Sequence, residues 1–434
     1  MNLLYANDTR GAYPPSWYAA STPPLAPFDA LRGAVKADVC VIGAGYTGLS
    51  AALHLAQAGH RVVVLEAQRV GFGASGRNGG QLGSGQRVEQ DALERMVGTT
   101  QAHALWHLAE DAKALVKSLI RDHKIECHLT PGVAHTASTA AQVADLHDYA
   151  DLLADRYGYA DVTSLDAEAC HALCPSPDYQ GGILDMGAAH LHPLAYALGL
   201  ARTAVAAGVQ IYENSCVHHL GHGQPATVRT DAGQITADHV ILACNGYLSA
   251  LAPSVSARVM PINNFIVATE PLGADTRRVL TRDVAVADSR FVVNYFRLSH
   301  DGRLLFGGGE SYGYTFPRDI PATVRKPMQV VFPHLKDVKI DYAWGGTLGI
   351  TMKRFPYLAR VAPNVLSASG YSGHGVGTAT HAGKLMADAI AGDTAGFDTM
   401  TCIPTPAFPG GGALRTPLLA LAMTWYAMRD RLGL

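Results

Sequence analysis

The sequence predicts an α/β fold built on a parallel sheet and joined to a second body of antiparallel strands. Three observations carry that prediction. The apolar run Val39–Ile42 passes directly into Gly43-Ala44-Gly45-Tyr46-Thr47-Gly48, and small and apolar residues continue at helical spacing through Leu53 and Leu55. A second apolar run, Val62–Leu65, then closes on Glu66, so that strand, glycine-rich turn, helix and strand follow one another as in a βαβ unit. The same rhythm returns at 194–212 and again from Val365, while 261–344 carries short strands separated by turn residues.

Each element has a local reason. Gly43 permits the tight turn, Gly45 lets a pyrophosphate approach the backbone, and Gly48 lets the helix lie close to the strand. The helix begins at Tyr46 and Thr47, where free N–H groups and the dipole favour an anion. Glu66 stands about 20 residues further on, the spacing at which an acid accepts a hydrogen bond from a ribose hydroxyl, and Ala67 joins it in the same set of contacts. Glycine signatures also occur in plain structural turns. The strand before, the helix after and the acid together favour a dinucleotide.

Next comes Gly71-Phe72-Gly73-Ala74-Ser75-Gly76-Arg77-Asn78-Gly79-Gly80-Gln81, too rich in glycine for a helix interior. It reads either as a loop holding phosphate or ring atoms, with Ser75, Arg77, Asn78, Gly79, Gly80 and Gln81 as contacts, or as an ordinary surface loop. From Val88 to about Ala154 the composition is helical, and His103 and His107 belong to a helix surface. His123 and His128 flank a strand edge and receive no role. Tyr179–Leu184 reads as a strand leading to a helix started at Pro193. Val228–Ile235 is a hairpin turning at Asp231–Gly233, and Asp301-Gly302 marks another. His239–Leu242 is a buried strand, and the turn that follows, Cys244, Asn245 and Gly246, is a further backbone approach to the cofactor; Val217 is counted in that set.

Bulk properties narrow the function. The 434 residues include 34 basic and 36 acidic ones, a net charge of -2, with no basic stripe for nucleic acid. The seven cysteines are scattered and form no CxxC pairs, which predicts a reducing compartment, the cytoplasm, and no structural metal. The N-terminal stretch lacks a secretory pattern, and no apolar run is long enough to span a bilayer. The apolar segment Pro417–Met428 reads as a helix that either docks on the core or makes a peripheral contact with a membrane's inner face or a partner subunit.

Four features together resemble the D-amino-acid-oxidase-like (glycine/sarcosine oxidase) flavoproteins, over about Asp38 to Asp393: Gly43–Gly48 with Glu66, the Gly73–Gln81 loop, Gly182–Pro193 and Tyr371–Gly375. The resemblance implies a discontinuous FAD-binding Rossmann-like domain of glutathione-reductase type, over 36–84, 160–255 and 345–400. An antiparallel-sheet substrate domain over 85–159 and 256–344 and a C-terminal tail over 401–434 would complete the chain. Some members tether the flavin through a cysteine before the Ser-Gly-His-Gly turn; Trp344–Tyr371 contains none, so dissociable, non-covalent FAD is expected.

The implied reaction oxidises the C–N bond of an amine or amino acid to an imine. The substrate would be a polyamine conjugate, or a cyclic or N-substituted amino acid such as L-pipecolate or sarcosine, and the acceptor oxygen or a respiratory quinone. His374 sits in the turn expected to face the flavin ring, either bonding the ring or only supporting its loop. Gly373, Gly375, Val376 and Gly377 would offer backbone N–H groups to developing negative charge. Tyr371 and Tyr295 either line the substrate pocket or pack in the core. Arg354 is a candidate clamp for a substrate carboxylate or else an exposed ion pair, and Arg297 is a weaker one. His190 and His192 either line the pocket or start the helix at Pro193. Two other classes of function stay open: an NAD-dependent dehydrogenase, which Glu66 alone would permit, and a cofactor-fold binding protein without catalysis.

Overall fold

The structure, a computed structural model, describes residues 2–311 and 313–409. The segment Pro417–Met428 lies outside the described residues.

A sheet forms on the first apolar run. Its order is Tyr357–Ala362, Val365–Ser369, Gly233–Leu242, Gly33–Ile42, Val62–Leu65 and Gln210–Tyr212. All neighbours are parallel except Tyr357–Ala362, and a hairpin, His219–Gly221 with Ala226–Arg229, lies antiparallel against Gly233–Leu242. Val39, Cys40 and Val41 are fully buried, as expected of a central parallel strand covered on both faces. Register sets Ile42 opposite both Leu65 and Leu242, so three strand ends open together at the Gly43 turn. Helix Gly375–Ala391 crosses helix Tyr46–Gln57 at small residues. A Cβ on Gly383 would strike the Thr47 carbonyl and Ser50, so only glycine allows this approach.

The second sheet runs Ile340–Ile350, Met260–Pro271, Arg303–Ser311, Tyr295–Leu298, Ala285–Asp288, Thr130–Ala137, Gly181–His190 and Gln81–Leu82, with Val162–Leu165 on Gly181–His190. It is antiparallel except where Ala285–Asp288 meets Thr130–Ala137. Strand Met260–Pro271 alternates with period two. Phe265 and Val267 join a core with Phe296, Phe306 and Phe332, while Ile266 and Ala268 face the core shared with the first helices. Both faces are therefore covered.

The hairpins at Asp231–Gly233 and Asp301-Gly302 form as the sequence predicts. Two expectations change. The helical stretch 88–154 resolves into helices Gln90–Val97, Thr99–Asp122 and Ala140–Tyr157, with the strand Thr130–Ala137 between them. Its local composition does not favour a strand, but its pairing with Gly181–His190 and Ala285–Asp288 supplies partners on both edges. The stretch 160–255, expected whole in the cofactor domain, contributes to both sheets, because Val162–Leu165 and Gly181–His190 pair in the second. Gln81 pairs with His190 at that sheet's edge, so the glycine-rich loop runs straight from the first sheet into the second.

Candidate active site

At the nucleotide end, Gly43 adopts φ 108°, a conformation costly for any residue with a Cβ, and a Cβ there would press on the Ala243 carbonyl. Gly45 caps helix Tyr46–Gln57, and Ser75 lies directly over it. The Ser75 Oγ accepts the Tyr46 N–H at 3.0 Å. Glu66 Oε2 accepts the Ala44 N–H at 2.8 Å and Oε1 accepts the Gln68 N–H at 2.9 Å. Burial pushes this carboxyl up to about 7, against the opposing pull of those N–H groups. With the Ala67 N–H as a third donor, Glu66 holds the glycine turn and keeps acceptor capacity for one hydroxyl. The Ser215 N–H bonds the Glu66 carbonyl, and Val217 packs, partly buried, against the core that holds Leu65 and Leu242. Cys244 and Asn245 close the turn from the neighbouring strand: Cys244 Sγ reaches the Ile42 carbonyl at 3.3 Å, and Asn245 Oδ1 accepts the Gly370 N–H at 2.9 Å. Gly246 packs closely on the Leu348 carbonyl.

The loop after Gly71 is held largely by its own side chains. Asn78 Nδ2 donates to the Ala74 and Ser75 carbonyls and its Oδ1 accepts the Gly80 N–H, so it shapes the loop from within. Gln81 turns its amide to the Val286 carbonyl in the second sheet. Arg77, expected to meet phosphate or ring atoms, is buried and mostly committed to the protein. Its Nε donates to the Phe72 carbonyl at 2.7 Å, and Nη1 meets the Gly345 carbonyl at 3.0 Å and both Asp8 oxygens at 3.1 Å. Only Nη2 is buried without a partner among the described residues. Arg297, the weaker clamp candidate, is likewise a lock: it donates to the Gly79 carbonyl at 3.1 Å and the Leu191 carbonyl at 3.1 Å.

The turn before helix Gly375–Ala391 reaches this site from the other side. Ser372 and Gly373 adopt φ 52° and 89°, bringing the first N–H groups of the helix, at Gly375, Val376 and Gly377, to a common end. The Tyr371 hydroxyl lies 2.7 Å from Thr47 Oγ1, so it ties the two helix starts together, and burial raises its pKa. His374 Nε2 donates to the Gly85 carbonyl at 3.0 Å. Burial first, and the Arg87 charge second, hold His374 down at about 4, so it is neutral near pH 7 and offers Nδ1 as an acceptor. Tyr295 lies across the junction. Its ring packs on Gly79 and Gly307, and its hydroxyl bonds Asn264 Oδ1.

Arg354 sits apart from these bonds, at φ 55°, with its guanidinium 4.8 Å from the Phe291 ring centre. Its charge bears on Arg87, whose pKa burial lowers. Sequence reasoning missed Arg87, although it follows the Gly83-Ser84-Gly85 continuation of the glycine-rich loop. It also missed Asp8, which no local pattern marks. His192 caps helix Pro193–Ala206 through the Ala195 N–H at 3.1 Å, the helix-starting alternative, and His190 lies 3.4 Å from Asp283.

The site fits FAD. A cradle that side chains would fill, two helix N-termini facing one region and an unspent guanidinium nitrogen together suit a long, anionic dinucleotide. Fold and site thus define a dinucleotide-dependent protein of the kind that holds a flavin. The chain belongs to the DAO family, FAD dependent oxidoreductase, whose model matches residues 38–389. It is 42% identical over 421 residues to the gamma-glutamylputrescine oxidoreductase of Escherichia coli (strain K12), covering 96% of this chain and 98% of that one. It is 43% identical over 417 residues to the probable oxidoreductase OrdL of Rhizobium meliloti (strain 1021), covering 96% and 97%. Among solved structures, glycine oxidase from Geobacillus kaustophilus superposes with TM-score 0.68 at 21% identity, covering 82% of this chain and 95% of that one. The protein is therefore an FAD-dependent enzyme of the group that oxidises amines and amino acids, and the NAD-dependent reading falls away. Among the described residues no helix is long and apolar enough to cross a membrane.

Proposed function

We propose that this enzyme oxidises the amine of a polyamine conjugate, with γ-glutamylputrescine as the first candidate, using non-covalently held FAD. The observation that carries this reading is the 42% identity to a gamma-glutamylputrescine oxidoreductase across 98% of that chain. Arg87 and Arg354, whose charges bear on one another, supply positive potential suited to the carboxylate that a γ-glutamyl group brings.

When bound, FAD supplies the chemistry, accepting a hydride equivalent from the carbon beside the amine. Gly43, Gly45, Tyr46, Thr47, Gly48 and Ser75 would hold the pyrophosphate, with Glu66, Ala67 and Val217 at the nucleoside. Arg77, Asn78, Gly79, Gly80 and Cys244, Asn245 and Gly246 would shape the middle. Gly373, Gly375, Val376 and Gly377 would surround the ring, with their N–H groups aimed at negative charge. Neutral His374 presents an acceptor rather than a cationic acid. Tyr295 and Tyr371 act by position: one closes the junction between sheets, the other fixes the Gly370–Gly377 turn. Oxygen or a respiratory quinone would take the electrons. The thiol form of all seven cysteines supports a cytoplasmic setting.

The test is an anaerobic absorbance titration of the holoenzyme with γ-glutamylputrescine, putrescine, L-pipecolate and sarcosine. Bleaching of the flavin band by γ-glutamylputrescine at the lowest concentration is expected. Bleaching only by L-pipecolate or sarcosine would replace the polyamine reading with an amino acid one. Readmitting air then distinguishes oxygen from another acceptor by the speed at which colour returns.

A further inference from the structure

The family match starts at residue 38, yet the chain ahead of it is bound into the cofactor site at several points. The Leu4 carbonyl accepts from Gln68 Nε2 at 2.7 Å, and the Gly11 N–H donates to Gln68 Oε1 at 2.6 Å. The backbone N–H of that same Gln68 bonds the Glu66 carboxylate. Tyr13 donates its hydroxyl to the Val70 carbonyl at 2.8 Å. Asn7 grips the second sheet's outer loop, with Nδ2 on the Tyr314 carbonyl at 2.8 Å and Oδ1 on the Phe316 N–H at 2.7 Å. Between these anchors Asp8 pairs with Arg77 at 3.1 Å, the two side chains only 10% and 1% exposed.

The Asp8–Arg77 pair is the centre of this arrangement. A buried guanidinium deprived of its carboxylate is an uncompensated charge, so removing one partner is strongly disruptive. Arg77 stands in the loop that covers the helix N-terminus, and its Nη1 is held by Asp8 and Gly345. The guanidinium lies 4.3 Å from the Phe72 ring centre, and its remaining nitrogen, Nη2, is buried with no hydrogen bond to the described residues.

We infer that the segment Asn2–Tyr13 is a working part of the cofactor site, a clasp that retains FAD, and that Asp8 is the positioning residue that presents Arg77 Nη2 to an acceptor oxygen of the cofactor. This rests on the reading that FAD is held without a covalent bond. The clasp joins three pieces that must keep their relative places around a long ligand: the Glu66–Val70 segment, the Arg77 loop and the Gly345 strand.

The experiment uses the full-length holoenzyme carrying Asp8→Asn or Asp8→Ala. Flavin release is followed on dilution by recovery of FAD fluorescence, and melting is compared with and without added FAD. Asp8→Ala should raise the FAD dissociation constant by about tenfold or more, about 1.4 kcal/mol. It should also shrink the stabilisation that FAD confers on the fold, since only a ligand bound more weakly gives that signature. If Asp8→Ala does not fold, Asp8→Asn keeps the volume and tests the charge alone. A dissociation constant within about twofold of the parent, or equal loss of melting temperature with and without FAD, would overturn the clasp. Acid precipitation separates the two readings. FAD freed to the supernatant with unchanged affinity sinks the clasp alone, whereas FAD retained on the pellet sinks the non-covalent reading and the clasp with it.

Discussion

Thr47 Oγ1 and the Tyr371 hydroxyl lie 2.7 Å apart in a buried contact between residues separated by most of the chain. One belongs to the first turn of helix Tyr46–Gln57, the other to the turn that leads into helix Gly375–Ala391. Both helices begin at the site, so this bond sets the distance between their N-termini. The close crossing at Gly383 keeps the helices in contact further along.

Tyr371→Phe leaves the Thr47 hydroxyl without its partner. The expected cost is about 1–3 kcal/mol of unfolding free energy, measured by denaturant titration. Thr47→Val combined with Tyr371→Phe should cost clearly less than the sum of the single changes. Strict additivity would show that the two hydroxyls are not coupled.

Arg354→Ala and Arg87→Ala should separate binding from chemistry. For γ-glutamylputrescine, each should raise KM by about 10- to 100-fold with little change in kcat, because a carboxylate clamp acts on ground and transition states alike. For putrescine, which has no carboxylate, both constants should hold. A loss that is equal for the two substrates would assign these arginines to the fold.

Glu66 holds two N–H groups of the glycine turn and its neighbour, at Ala44 and Gln68. Replacing it by Ala removes two hydrogen bonds to a carboxyl held at about 7, of about 0.5–3 kcal/mol each depending on its ionisation, part of which water restores. FAD affinity should fall by about tenfold or more, on the scale where 1.4 kcal/mol is tenfold, read by fluorescence titration of the apoprotein. Unaltered affinity would mean that the turn keeps its shape without the acid.

Burial holds His192 at about 3 and His374 and His381 at about 4, while an unfolded histidine titrates near 6.5. The unfolded chain therefore binds protons that the native one refuses. Stability is whole above about pH 6.5 and falls as pH drops towards these native values. His381, buried on helix Gly375–Ala391, offers the cleanest test. His381→Asn should flatten the acid-side slope of unfolding free energy by about 1.4 kcal/mol per pH unit within that window. A slope equal to the parent's would show that His381 is charged in the folded protein.

Much of the framework is legible along the chain because its causes are local. The strand at Val39–Ile42, the turn at Gly43–Gly48, the helix start at Pro193 and the hairpins at Asp231–Gly233 and Asp301-Gly302 each follow from neighbouring residues. The strand Thr130–Ala137 is not legible this way. Its Ala-containing stretch between two long helices becomes a strand through partners that arrive from Gly181–His190 and Ala285–Asp288.

The sequence by itself determined that the chain carries a glycine-turned dinucleotide cradle and a second glycine-rich turn, because backbone conformation and helix N-termini depend on adjacent residues. Tertiary structure decided what the loop's polar side chains do. Arg77 and Arg297, legible as ligand contacts, are tied to Asp8 and to the Gly79 and Leu191 carbonyls, while Arg87, two residues past the glycine-rich stretch, comes under the charge of Arg354. A guanidinium pairs with whatever acceptor the fold brings within about 3 Å, and that distance is set by packing between distant segments rather than by spacing along the chain.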